Sequence, residues 1–529
     1  MRIVDLRQLD SVSSEVTADV CVVGAGAAGL LLSVALARTG VRVAILEAGG
    51  KTCLEGSALG IEAVNPDGYG GATKGRVYGL GGTTAVWGGQ LVPHGSMDTD
   101  ETPDAGFDFW QHLLEVIDRQ AARVLELLGL PWTVSEFGAG HLLPSGIAEA
   151  ARRRGVGIVV GAWLPFRRRN LSWLLRKVGG HAPLDVYLGA PVVDWDVLPA
   201  SQVGGRAHVR CATARAQHRT LRVNAKWFVV AAGAIESTRI LLALNARYEG
   251  RLIDQRRAVG RYLSDHISCA IADVDPLSRP ACADIFGPRF RAATMYTFRF
   301  VDLRRASGLP RGFAHFIFEH NNAAFELAKL CLLSLQRRVV PRVSFGQLVS
   351  GARGLGRLGY ERFFRSRLYV AEGTPVHLQL DLEQVPRFSN RIELTDRTDA
   401  TGLPVPVIRW SLREDDYERL RHAARTFLER WPIEIGVSLV PRDLDGNGVK
   451  PHDVYHPVGT CRMGTGVEAV VDPSLRVHDT ENLFVLSTAV FPSAGSANPT
   501  FSLLCLATDL AERLGRMAKE PIGVFNRNI

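Results

Sequence analysis

The feature that most narrows the fold lies at residues 18–47, where the apolar strand ADVCVV runs through GAGAAG into the apolar stretch LLLSVALART and then into a second strand, VRVAILE. This order reads as one strand–helix–strand unit. Gly24, Gly26 and Gly29 stand at G-x-G-x-x-G spacing, with Ala25 and Ala27 between them. The first glycine makes the turn, the second lets backbone approach a pyrophosphate, and the third lets helix and strand pack closely. The helix start then presents unpaired N–H groups and the positive end of its dipole to the phosphates. Glu47 ends the second strand 23 residues after Gly24, where an acid accepts from ribose hydroxyls and repels a 2′-phosphate. The pattern predicts a dinucleotide grip and leaves FAD and NAD undistinguished.

A chain of 529 residues is long for one simple core and predicts two interlocked lobes. The first residues, with Asp5 and Asp10, lack the basic and apolar regions of a signal peptide. The closest pair of the eight cysteines is thirteen residues apart, which excludes a CxxC site and fits reduced, buried thiols in a cytoplasmic protein. The net charge of +8 is local. From Lys329 to Arg367 there are nine basic residues against one acid, Glu361, interleaved with apolar ones such as Phe345, Leu348, Phe363 and Phe364. That pattern fits a solvated helical face, an anionic membrane surface or a phosphorylated substrate. Nucleic acid is a poor fit, because no recognised binding motif accompanies the charge.

Further along, VYGLGGTTAVWGGQ places Gly82, Thr83 and Thr84 in a loop suited to running under a flat ring system. WFVVAAGAIESTRILL ends a buried strand at Ala232 and Gly233. Near the end stand YHPVGT, with His456, and ANPT, with Asn498 and Thr500, before an apolar helix from Phe501 to Leu514. From about residue 18 to 514 this ordered set, together with LEAGG, VGRYLSDH, EQVP and HPVGTCRMG, resembles the glucose–methanol–choline oxidoreductase family.

The resemblance implies an α/β fold: a Rossmann-like FAD-binding lobe, similar to that of p-hydroxybenzoate hydroxylase, joined to an α+β substrate lobe with an antiparallel sheet. We expect the FAD lobe to comprise residues 1–100, 185–275 and 445–529, and the substrate lobe 101–184 and 276–444. His456 falls at the family's catalytic histidine and Asn498 at its second polar position. The histidine would accept the hydroxyl proton while hydride leaves the carbinol carbon, and the amide would hold the developing alkoxide. The His/Asn combination resembles pyranose oxidases and bacterial glycoside 3-oxidases, which points to a secondary hydroxyl on a sugar or glycoside. Covalent members carry a histidine in the glycine-rich loop. Val86 stands there, so noncovalent FAD is expected. Ser237-Thr238-Arg239 departs from the family's second signature, and residues 275–375 match too poorly to transfer specificity. Oxygen, a quinone or another protein remains open as the electron acceptor.

Two other classes stay in play: an oxidoreductase of a hydrophobic sterol or long-chain alcohol, and a flavin-containing hydroxynitrile lyase with no net redox. HDVYH, residues 452–456, mimics a zinc motif, but Pro457 and Gly459 break the helix it would need, so no metal is expected. Asp265 and His266 read as a structural hydrogen-bonding pair. Trp87, Trp163 and Trp410 read as core rather than sugar platforms. WLPFRRRN, residues 163–170, reads as a solvated loop or an anion contact.

Overall fold

The computed structural model describes residues 1–8, 12–99, 107–138, 142–144, 146–203, 205–304, 310–320, 322–337, 339–341, 343–445 and 450–519. Its strands, in chain order, are β1 (Arg2–Asp5), β2 (Ser13–Val23), β3 (Val43–Leu46), β4 (Gln90–Leu91), β5 (Val156–Trp163), β6 (Leu184–Leu188), β7 (Val192–Leu198), β8 (His208–Ala216), β9 (Arg219–Val230) and β10 (His266–Val274). They continue as β11 (Arg289–Arg291), β12 (Thr294–Asp302), β13 (Gly312–Phe318), β14 (Val376–Glu383), β15 (Arg391–Thr398), β16 (Pro404–Arg409), β17 (Leu439–Pro441), β18 (His452–Asp453) and β19 (Leu483–Val485).

The first sheet runs β1-β6-β3-β2-β9-β8-β7, with β19 paired to β9. Its centre is parallel: β2 pairs β3 on one side and β9 on the other. The strands β7, β8 and β9 form an antiparallel extension. β3 is buried at every residue, and β2 is buried throughout its last four, as expected of strands covered on both faces. Helix Ala27–Ala37 is apolar all round and packs against helix Thr500–Lys519, so the two ends of the chain build one layer.

The second sheet runs β17-β10-β14-β13-β12-β5-β4 and is antiparallel, with β11 paired to β12 and β18 to β10. The chain is therefore α/β, with a mainly parallel sheet beside an antiparallel one. A small hairpin, β15–β16, stands apart from both.

Sheet membership differs in places from the division expected from sequence. β4, β10 and β18 fall within segments assigned to the first lobe, yet they pair in the second sheet. An apolar run such as HISCAIADV reports burial, not the sheet that buries it. Helix Phe109–Leu128, assigned to the substrate lobe, instead packs on helix Thr500–Lys519. The expected boundary at 100/101 and the last residues, 520–529, lie outside the described residues. No disulfide joins the cysteines of the described residues; Cys331 is exposed and Cys53 half-buried, so not every thiol is sequestered as expected.

Candidate active site

The glycine turn is over-determined by contact. Gly24 adopts φ +107°, and a Cβ there would stand 2.6 Å from the Ala231 oxygen. A Cβ on Gly29 would lie 2.1 Å from the Gly24 oxygen, so only glycine lets the helix pass this close to the strand end. Gly26 caps the helix with no side-chain hydrogen bond, which leaves the first-turn N–H groups for a ligand. The buried Glu47 carboxylate accepts from Ala25 N–H at 2.8 Å and Gly49 N–H at 2.9 Å. Burial raises its pKa against these bonds. The acid thus braces the turn as well as facing the cleft, a part the sequence reading had not included.

One cleft gathers most of the residues singled out from sequence. Gly24, Gly26, Ala27, Glu47, Gly82, Thr83, Thr84, Ala232, Gly233, His456 and Thr500 all line it, and it encloses about 1550 Å³ of empty space, part of it open to solvent. Ala25 and Gly29 lie behind the turn rather than on the cleft wall, Ala25 accepting from Gly81 N–H at 2.9 Å. Thr84 is turned into the protein: its hydroxyl donates to the Gly81 oxygen at 2.5 Å and accepts from Leu171 N–H at 2.9 Å.

His456 is held from several sides. Tyr455 before it occupies the left-handed region at φ +64°, where a bulky residue is strained. Both Asp265 oxygens accept from His456 N–H at 2.9 Å, and one also accepts from His266 N–H at 2.7 Å. Tyr69 O–H donates to the other at 2.6 Å. Burial pushes the Asp265 carboxyl up to about 7 despite these donors. The His456 ring is pushed down to about 3, chiefly by desolvation and then by the neighbouring His266. Its Nδ1 lies 3.1 Å from His266 Nδ1. Asn498 is half-buried, and its Oδ1 has no hydrogen-bond partner among the described residues.

From sequence, Asp265 and His266 take a structural hydrogen-bonding role; the fold sets that role against His456. Their only sequence signal was an Asp-His pair 190 residues upstream, which says nothing about its partner. Asp453 of the zinc-like motif accepts from Gly70 and Gly71 N–H at 3.0 and 2.7 Å, and His452 is exposed on β18. Among the described residues Asp265, His266 and His456 bring possible ligand atoms within 4.8 Å. The Asp265 oxygens are already committed to four hydrogen bonds, which is poor metal-ligand chemistry. Trp410 packs on Tyr69 in the core, while Trp87 lines the cleft and donates to the Arg169 oxygen at 2.8 Å. WLPFRRRN is not a solvated loop: Arg168 donates to the Gly129 oxygen at 2.7 Å, and buried Arg169 sits 3.6 Å over the Phe166 ring.

The basic segment forms helices Ala323–Arg337 and Phe345–Phe364, packed on each other. Arg338, Arg342 and the Arg353 side chain lie outside the described residues. Val340 is 88% exposed, Phe345 81%, and Phe363 and Phe364 79% each. At the other extreme Gln336 is buried and donates to the Thr84 and Trp87 oxygens at 3.1 and 2.9 Å, which ties this hairpin to the glycine-rich loop. No helix among the described residues is long and apolar enough to cross a membrane.

A family model described as GMC oxidoreductase matches residues 386–507, and one described as FAD binding domain matches residues 17–65. The chain is 24% identical to 6'''-hydroxyparomomycin C oxidase of Streptomyces lividus over 92% of its own length and 89% of the relative's. It is 26% identical to C-glycoside 3-oxidase of Arthrobacter globiformis over 56% of this chain and 47% of that one. The crystal structure of pyridoxine 4-oxidase from Mesorbium loti superposes with a TM-score of 0.55 at 18% identity, covering 94% of this chain and 99% of that one.

Proposed function

The chain belongs to the GMC oxidoreductase family and is an FAD-dependent oxidoreductase acting on CH–OH groups; on that premise we propose that it oxidises a secondary hydroxyl of a sugar or glycoside, with His456 as base. Bound FAD supplies the two-electron acceptor. The glycine turn, the helix start behind it and Glu47 would hold the dinucleotide, and the open first turn at Gly26 fits a pyrophosphate. Val86, an aliphatic side chain with no nucleophile, supports noncovalent attachment.

The observation that carries the substrate reading is the Asn498 amide. Asn498 is not itself among the residues lining the cleft, but its neighbours Pro499 and Thr500 are; turned toward the substrate, its Nδ2 would donate to the reacting oxygen and its buried Oδ1 would need a donor of its own. A polyol offers that second hydroxyl; a simple aliphatic alcohol does not. The names of the two oxidase relatives, on a hydroxyparomomycin and on C-glycosides, favour the same class.

Anaerobic titration of the FAD-loaded protein tests this. Glycosides and free sugars are expected to bleach the flavin absorbance. Bleaching by sterols or long-chain alcohols and not by sugars would overturn the sugar reading in favour of a hydrophobic alcohol. Turnover of a cyanohydrin with the flavin oxidised throughout would point to a lyase. Admitting oxygen, or a quinone, to the reduced protein then identifies the acceptor.

The exposed aromatic and basic side chains of the 323–364 hairpin support a peripheral contact with an anionic bilayer. The protein is expected to pellet with phosphatidylglycerol vesicles at low salt and to be released by high salt. Equal pelleting with neutral vesicles, or none with either, would remove the contact.

A further inference from the structure

His266 begins β10 and is fully buried. Its Nε2 lies 2.9 Å from the Gly495 carbonyl oxygen. A carbonyl oxygen only accepts, so Nε2 carries the hydrogen. Burial lowers the pKa of both His266 and His456, which keeps both rings neutral with one N–H each. The second His266 nitrogen, Nδ1, is then a bare lone pair. It lies 3.1 Å from His456 Nδ1, and a hydrogen bond there requires that His456 Nδ1 carry the hydrogen. One nitrogen of His456 remains, Nε2, and it is left unprotonated on a ring that lines the cleft.

We propose that His266 is a positioning residue: by accepting from His456 Nδ1–H it selects the His456 tautomer whose Nε2 is free to take the substrate proton. This rests on His456 being the base. The order of atoms is then set by the Gly495 carbonyl, through His266, to His456, with each ring fixing the hydrogen of the next. In the reaction the substrate O–H bond breaks and an N–H bond forms at His456 Nε2, while the C–H electron pair leaves as hydride to the FAD oxidant. The imidazolium so formed still donates Nδ1–H to His266, now as a charge-assisted bond. Of the other groups that act on this pair, Arg299 donates to Gln90 Oε1 and lies over the Phe313 ring, and His94 bonds Ser502 Oγ and the Ala494 oxygen. Asp381 is tied to Ser268 and to His315, Glu383 pairs with Arg311, and Phe313 packs edge-on to His266. Asp265 reaches the two histidines only through their backbone N–H groups.

The test separates hydrogen-bond chemistry from packing. His266→Asn sets an amide oxygen where Nδ1 stands and keeps an acceptor for His456. His266→Gln sets its amide near Nε2, keeping the donor to Gly495 and losing that acceptor. We expect the flavin reduction rate at saturating alcohol to fall about 10–100-fold in His266→Gln, with substrate affinity and FAD content unchanged, and to stay within about 3-fold in His266→Asn. Nitrogen-15 histidine spectra of the unaltered protein give a readout that needs no turnover: His456 Nδ1 should resonate as a protonated nitrogen and Nε2 as a bare one. A wild-type rate in His266→Gln, equal losses in both variants, or a bare His456 Nδ1 would overturn the proposal. If His456→Ala leaves the rate unchanged while the tautomer is as expected, the base assignment fails and the pairing of the rings stands.

Discussion

His456→Ala is expected to slow anaerobic flavin reduction by the alcohol about 10²–10⁴-fold, the range associated with a positioned proton acceptor. FAD should stay bound, since Gly24, Gly26 and Glu47 are untouched. The size follows from the chemistry: a carbinol carbon gives up hydride readily only as its hydroxyl loses a proton, and water is a poor acceptor in a desolvated site. The pKa of His456, pushed down to about 3, fixes the sign of the pH dependence. The active form is the neutral ring, present above that pKa and lost as pH falls through it. An inflection near pH 7 would instead report Asp265, whose carboxyl is pushed up to about 7. Stopped-flow reduction, with FAD content measured on the same sample, decides the matter. A rate within about 3-fold of the unaltered protein would remove His456 from the mechanism, and added imidazole should restore part of a genuine loss.

The contrast between Gly29 and His266 shows what a sequence can carry. The glycine turn was readable because the contact that demands Gly29 is with Gly24, five residues away, although the turn also meets Glu47, Gly81 and Ala231. His456 and Asn498 enter the proposed site only through the resemblance; nothing in their spacing places one near the other. The contact of His266 with His456 spans 190 residues and depends on β10 pairing with β14 and β18 in the second sheet. Apolar periodicity tells which side of a strand is buried, not which strand lies beside it. The same limit misassigned helix Phe109–Leu128, whose amphipathic pattern was plain while its partner, helix Thr500–Lys519, was not. The basic segment was legible as charge, but the grip of Gln336 on the glycine-rich loop was not.

Arg239 belongs to the illegible class and carries the largest expected effect on stability. In sequence it only blurred a family signature. In the fold its side chain is 1% exposed in the helix Gly233–Arg247, 2.7 Å from the fully buried Asp399 carboxylate and 3.4 Å from Glu236. It also donates to the backbone oxygens of Pro404 and Leu403 at 2.8 and 3.1 Å, which fastens the β15–β16 hairpin to a wall of the cleft. Glu236 keeps a second partner, Arg76, at 2.8 Å. Asp399 has no second cation among the described residues, only the hydroxyl of Thr401 and the backbone N–H groups of Glu62 and Thr401. Arg239→Met would therefore strand a buried carboxylate, at a cost of about 3–5 kcal/mol in the free energy of unfolding, read from denaturant melts. The neutral isostere tells charge from packing: adding Asp399→Asn keeps the Thr401 turn, removes the stranded charge and should recover at least about half of the loss. If the single variant cost less than about 1 kcal/mol, the pair would be no more than a surface-grade bridge. If the double variant were no more stable than the single, the cost would lie in the lost packing and backbone bonds of the guanidinium rather than in the unpaired charge.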